Sequence, residues 1–278
     1  MKFLTKSGLL FACLVLSACG PRVSSLTALP PRSFPLGGDQ AVLVEVDTGL
    51  VQITGGGNGN VQISGTLSAA QAVDYSAVQS ADGIHVVAHY KGSYFFRPSE
   101  PPVQLDLQVP TGARVLVQTY DAATNAQDFH GSLQVTSTAG NILLENATGQ
   151  AVLKSNRGDI RVQNSSGEID AIGNYGLISL VGVQGKINAS TIVGTIQFGG
   201  RVGAGDAVDL ETDHGPVQID LDPTSAATVQ VRTTSGVVTC MVPGVSYNGA
   251  ACDGSLGMGA GQLQVRTVSG SVLLELSH

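Results

Sequence analysis

The densest acidic stretch of the chain is DAVDLETDHG, residues 206–215, followed by DLDP at 220–223. Asp209, Glu211 and Asp213 alternate with Val208, Leu210 and Thr212, so a strand here would carry three carboxylates on one face with His214 at its turn. A polysaccharide lyase or hydrolase uses carboxylates gathered in this way to flank a sugar, and the same oxygens could hold a lone divalent cation. The plainer reading is an exposed strand face, and it is the one expected. An enzyme also needs long loops to wall a cleft, and residues 131–202 have none. His85, His89, His130, His214 and His278 are scattered, with no HExxH pattern, and GxSxG is absent, so nucleophilic catalysis has nothing to rest on. GGNGNV at 56–61 begins like a calcium-binding nonapeptide, but Val61 stands where that repeat needs Asp. The other units have a single Gly and no Asp at a fixed phase, and Asp159, Glu168 and Asp170 read as solvated face residues. The expectation is no enzyme, no cofactor and no metal.

Cysteine carries two other chemistries. Lys2 and Lys6 precede an apolar run over residues 8–18, too short to span a membrane comfortably. The run ends in Leu16-Ser17-Ala18-Cys19, which resembles a bacterial lipobox. The resemblance implies cleavage before Cys19, a diacylglyceryl group on its sulfur and a further acyl chain on its nitrogen; several chains together anchor stably where one does not. Gly20, rather than Asp, follows, which resembles outer-membrane sorting in Gram-negative cells. Residues 1–18 are then a signal peptide, and residues 19–40, rich in Pro, Ser and Gly, a lipidated, semi-extended tether. Cys240 and Cys252 remain, and in an oxidising compartment a disulfide between them is expected.

One stretch concentrates aromatics: HYKGSYFFRPSEPP, residues 89–102, holds Tyr90, Tyr94, Phe95 and Phe96. It is either a partner-binding loop, since exposed aromatics anchor interfaces, or a plug covering an end or side of the fold. The plug is the expected role. CMVPGVSYNGAAC, residues 240–252, is the candidate cover for the other end.

The frame that must position these residues shows in the glycines. The chain has 36 glycines in 278 residues, only 13% charged residues and no Trp. Its formal charge is −7, about −9 once Lys2 and Lys6 are removed, so a basic footprint for nucleic acid is missing. Glycine occurs at 131, 140, 149, 158, 167, 176, 185, 194 and 203 without a miss. Two residues after each stand Leu133, Ile142, Ala151, Ile160, Ile169, Ile178, Ile187 and Ile196, and four after stand Val135, Leu144, Leu153, Val162, Ala171, Leu180, Ala189 and Phe198. The positions between them are mostly polar, which is strand alternation. Six residues after each glycine come Ser137, Asn146, Ser155, Asn164, Gly173, Gly182, Thr191 and Gly200, small residues suited to a corner.

A nine-residue unit cannot bury an apolar face alone, but stacked units can. The pattern predicts an all-β, single-stranded β-solenoid of the β-helix or β-roll type, with two nine-residue units per coil and a narrow aliphatic core. An antiparallel meander is the weaker alternative. Gly49, Gly59, Gly215, Gly236 and Gly270 start looser units, and VQVRTTSGVV (229–238) nearly copies LQVRTVSGSV (263–272). One elongated repeat domain over residues 41–276, with its regular core at 131–203 and irregular ends, is therefore expected.

VEVDTGLVQITGGGNGNVQISGTL near the start, VQLDLQVPTGARV at 103–115 and the Gly-x-Ile-x-Val units after it resemble a bacterial family of β-strand-repeat proteins described as adhesins, of unknown function, related to the auto-transporter adhesin head domain. The resemblance covers residues 41–276, implies a β-solenoid on exported or anchored proteins, and brings no catalytic residues. The functional expectation is a non-catalytic, lipid-anchored cell-envelope protein, an adhesin-like binding or scaffold module with an envelope protein or glycan as partner and the membrane reached through its lipid. Its expected place is the outer membrane, facing the periplasm or the cell surface. The alternatives are a polysaccharide-active enzyme using the acidic face around 206–222 and an envelope lipid or glycolipid carrier. A carrier requires an open apolar groove, whereas the Ile, Leu and Val ladder looks large enough to fill the interior.

Overall fold

The computed structural model describes residues 26–68, 70–91 and 102–277. The signal peptide, Cys19, and Tyr94, Phe95 and Phe96 of the aromatic loop lie outside these residues. The fold is all-β; a single 3-10 turn, Ala70–Ala72, is the only helical element among the described residues.

The middle of the molecule is a stack of parallel rungs. His130–Ser137 with Ile142–Glu145 forms one, Thr148–Ser155 with Ile160–Gln163 the next, then Ser166–Val181 and Gln184–Gly200. Each residue lies beside the one eighteen positions on: Thr148 beside Ser166, Ser166 beside Gln184. Glycine therefore stacks on glycine, as in Gly131, Gly149, Gly167 and Gly185. A methyl group at Gly158 would strike the carbonyl oxygen of Gly140, and one at Gly167 that of Gly149. The nine-residue glycine phase is thus a steric condition for rungs to approach within strand-pairing distance. All sixteen residues expected inside are buried, the most accessible being Ala151 at 6%. β-Branched and aliphatic side chains suit that dry seam, whose burial is the main favourable term.

The two corners of a rung differ. At one, Asn146 and Asn164 adopt φ of 52° and 48°, stacked between Asp128 at 50° and Gly182 at 66°. Short polar side chains and glycine tolerate this left-handed conformation. At the other, a buried Ser or Thr stands three residues before glycine: the Ser137 hydroxyl accepts the Gly140 N–H and that of Ser155 the Gly158 N–H, both at 2.8 Å. Thr191, Thr212, Thr267 and Thr233 continue this column, as the rung pairings show.

The ends depart from chain order. The Ala41–Gly57 rung lies between Arg114–Gln127 on one side and Gly83–Tyr90 with Val103–Pro110 on the other. Gly261–Ser269 and Val272–Leu276, last in the chain, lie between the 207–221 rung and the 227–241 rung. Antiparallel strands cover the outer edges: Asn60–Leu67 on Val103–Pro110, Val73–Gln79 on Gly83–Tyr90, and Ala251–Ser255 on Ala227–Ser235. The irregular ends of residues 41–276 thus take the form of antiparallel strands laid on the terminal rungs.

The tether expected over residues 19–40 also gives way in part. Thr27–Pro35 is a strand, antiparallel to Asn60–Leu67, with Leu29 buried. Its register shifts between Leu29 and Arg32, across Pro30 and Pro31, which have no N–H to offer. An uncovered edge can pair even a proline-containing segment when an apolar residue on each side of the bulge reaches the core: here Leu29 and Phe34.

Candidate binding groove

Near the N-terminal end, one outer face of the stack becomes concave and polar. Four strands contribute: Asn60–Leu67, Val103–Pro110, Ala41–Gly57 and Arg114–Gln127, in that spatial order. Their inward residues, among them Val61, Ile63, Leu105, Leu107, Val51 and Ile53, are buried, so alternation sends their neighbours outward. The register sets those neighbours in two rows. Gln62, Gln108, Thr54 and Gln127 form one; Ser64, Asp106, Gln52 and Asn125 form the other. They line a groove of about 330 Å³. Gln104 Nε2 donates to Gln52 Oε1 at 3.4 Å, and Gln127 Nε2 to Glu145 Oε2 at 3.2 Å. The side chains of Gln62, Gln108, Asn125 and Asp106 make no hydrogen bond to another described residue. The groove thus offers amide donors and acceptors at strand spacing, about 4.8 Å, with one carboxylate among them.

Sequence reading missed this groove. The signal was present as Gln and Asn at outward phases of four segments. What stays hidden in the chain is that residues 60–67 turn back onto 103–110.

The acidic stretch is placed differently from a sugar-cleaving site. Asp209 and Glu211 do face outward from Ala207–His214, but both reach Arg266 on the neighbouring rung, at 2.9 and 3.1 Å. Hydrogen bonds from the guanidinium to Glu211, then to Asp209, hold Arg266 above its ordinary pKa. Arg232 pairs with Asp253 at 2.6 Å one rung further. Asp206 serves a turn, accepting the N–H of Gly185 and of Gly203. These carboxylates are tied into ion pairs and turns across adjacent strands. Among the described residues, no group of three or more His, Cys, Asp or Glu is arranged to hold a metal ion.

His214 sits exposed at a corner, beside Val193 and Ser269. Cys240 and Cys252 form a disulfide, Cα atoms 6.6 Å apart, joining the 227–241 rung to the strand that covers it. Tyr90 ends its strand half-buried against the core, its N–H donated to Asp47 Oδ2 at 2.9 Å.

No curated protein matches the chain. Solved structures of similar overall course include a "putative adhesin" from Bacteroides fragilis, with 11% identity, TM-score 0.47 and coverage of 91% of this chain and 98% of that one. Another, a "putative adhesin" from Parabacteroides merdae, has 12% identity, TM-score 0.45 and coverage of 92% and 98%. A "putative cell adhesion protein" from Clostridium sporogenes has 10% identity, TM-score 0.32 and coverage of 91% and 100%. A family pattern matches residues 43–275, from the inserted first rung through the inserted last one, and by it the chain belongs to the Toastrack family DUF4097.

Proposed function

We propose that this protein is a non-catalytic, lipid-anchored module of the cell envelope that holds a polar binding surface away from the membrane, as an adhesin or a scaffold does. The stack is read as a β-solenoid with two nine-residue units per coil, irregular at its ends. The observation that carries the reading is the amide-lined groove on a rigid, doubly edged stack, whose apolar seam is already filled by its own side chains. A filled seam argues against a lipid carrier. The pairing of Asp209 and Glu211 with Arg266 argues against a sugar-cleaving pair, which needs one carboxylate free to carry a proton. Leu16-Ser17-Ala18-Cys19 supports lipidation, and Gly20 after the cysteine supports an outer-membrane position.

Two measurements test the reading. Fractionation of cells expressing the chain should place it with the outer membrane and release Cys19→Ser from it; a Cys19→Ser variant that stays membrane-bound removes the anchor. Immobilised protein should retain envelope material without turning it over. Hydrolysis or lyase activity on envelope polysaccharide, lost in Asp209→Ala, would replace the binding module with an enzyme.

A further inference from the structure

The groove's chemistry narrows what it takes. The lining residues are neutral apart from Asp106, so an anion such as a phosphate, a nucleic acid or a sulfated sugar finds a carboxylate and no cation to meet it. An apolar ligand would strip water from the amides of Gln52, Gln62, Gln108 and Asn125 and return no hydrogen bonds, a costly exchange. A ligand that suits them presents many groups that both donate and accept. Amide side chains do the same from their two ends, and a carboxylate adds an acceptor for paired hydroxyls.

Placement strengthens the argument. The outward columns containing Asn125 and Gln127 run on into the middle of the same sheet as Leu143, Arg161, Ser179 and as Glu145, Gln163, Val181. The dense amide grid thus ends at Arg114–Gln127, where the regular eighteen-residue stack begins, so it is a feature of the groove and not the general way this protein solvates a strand face. Its lining extends across four strands but only two rows along each, so it suits a chain laid across several rungs rather than a small molecule enclosed in a pocket.

We infer that the groove over Gln52, Gln62, Asp106, Gln108, Asn125 and Gln127 is a binding site for an uncharged oligosaccharide. The inference rests on the envelope-binding reading above and names the partner class for it. Contact with any one sugar is weak, because each hydroxyl bond exchanges for one with water. Many copies displayed on a membrane compensate by avidity.

The experiment is an array of neutral oligosaccharides with sulfated and sialylated counterparts, probed with the full-length chain purified in detergent, then calorimetric titration with the best neutral binder. Variants are the double Gln52→Ala/Asn125→Ala and the single Asp106→Ala. The control is Gln134→Ala/Asn188→Ala, exposed positions in a different column of the rungs that carries none of the groove residues. Circular dichroism melts verify that each variant folds. The expected result is neutral-glycan binding, about tenfold weaker in the groove double and unchanged in the control. Equal affinity in groove and control variants overturns the site. Preference for anionic glycans, weakening with salt, overturns the ligand class. No glycan binding while immobilised protein still captures an envelope protein overturns this inference and leaves the proposed function standing. Failure to retain any envelope material overturns both.

Discussion

At one end of the stack, the rung formed first in the chain, 41–57, is slotted between 83–110 and 114–127; at the other, the rung formed last, 261–276, is slotted between 207–221 and 227–241. The middle does nothing of the kind. From 130 to 200 each rung follows its predecessor at a spacing of eighteen residues, as the Asn188–Asp170 hydrogen bond illustrates. An interior rung has a neighbour on both edges whatever the chain does next. A terminal rung has one neighbour and an exposed row of backbone donors and acceptors. Slotting the first and last rungs inward gives each two neighbours, and antiparallel strands then cover the edges left open. The middle is governed by steric repetition and the ends by edge management, and the N-terminal solution also creates the amide groove.

The largest expected effect breaks the repetition. Gly158→Ala forces a methyl against the carbonyl oxygen of Gly140, in the middle of a stack that cannot locally spread. The expected cost is about 3–5 kcal/mol, read as a fall in melting temperature or loss of soluble protein. Gly38→Ala, with nothing near the new methyl, should change stability by less than about 0.5 kcal/mol. Equal effects at the two sites would show that glycine phase is not what sets rung spacing.

This contrast also marks how much was legible in the sequence. Leu133, Ile142 and their successors give the inward face directly, because every interior rung meets the same steric conditions. The alternation of Ser137, Asn146, Ser155 and Asn164 contains the two kinds of corner, although spacing from glycine alone makes them look like one class. The ends were not legible in the same way. Segments 229–238 and 263–272 are near copies because they stack, Val229 beside Leu263 and Val231 beside Val265, yet nothing in either says that the later one sits nearer the middle. Likewise, Gln62 and Gln108 reveal themselves as neighbours only once residues 60–67 have turned back. Repetition constrains local geometry strongly; the order in which edges are filled is a global property. The acidic stretch misleads for a related reason: Arg266 lies 55 residues from Glu211 and is brought beside it by the slotted last rung.

The next effect belongs to the C-terminal end. The Cys240–Cys252 disulfide staples the last rung in space to its cover. Cys240→Ala/Cys252→Ala should destabilise that end by about 2–4 kcal/mol. In a linear stack the loss should stay local, so hydrogen exchange should accelerate over 227–276 and remain slow over 130–200. Uniform acceleration along the chain would mean that ends and middle unfold as one unit.

Smaller again is the contrast along the buried hydroxyl column. Ser155 in the middle accepts the Gly158 N–H, so Ser155→Ala strands a buried donor and should cost about 1–3 kcal/mol. Thr212, near the C-terminal end, is fully buried with its hydroxyl unpaired. Thr212→Val keeps the shape and removes the unpaired group, so it should be neutral or stabilising by up to about 1 kcal/mol. Chemical denaturation of both variants checks the pair. A destabilised Thr212→Val would mean that the hydroxyl is hydrogen-bonded in solution and that the two positions of the column are chemically alike.

The smallest effect concerns the point where the chain skips a rung. After Leu221 the backbone must step over a gap two strand spacings wide, roughly 9–10 Å, to begin at Ala227, leaving room for the last rung to enter. Asp222 organises this step: its carboxylate accepts from the hydroxyl and, at 2.7 Å, from the N–H of Thr224, and its own N–H is donated to Gly200. Those bonds, the hydroxyl first, pull its pKa below the ordinary carboxylate value. A depressed folded-state pKa contributes stability that is present above the unfolded value and disappears as pH falls through the folded one. Melting temperature should therefore separate wild type from Asp222→Asn at neutral pH, and the two curves should converge in acid. The carboxylate is fully exposed, so solvent screens it and the separation should be the least of the four. Curves that stay parallel down to acid pH would mean that the charge on Asp222 does not hold the step, and that the gap for the last rung is kept open by backbone geometry alone.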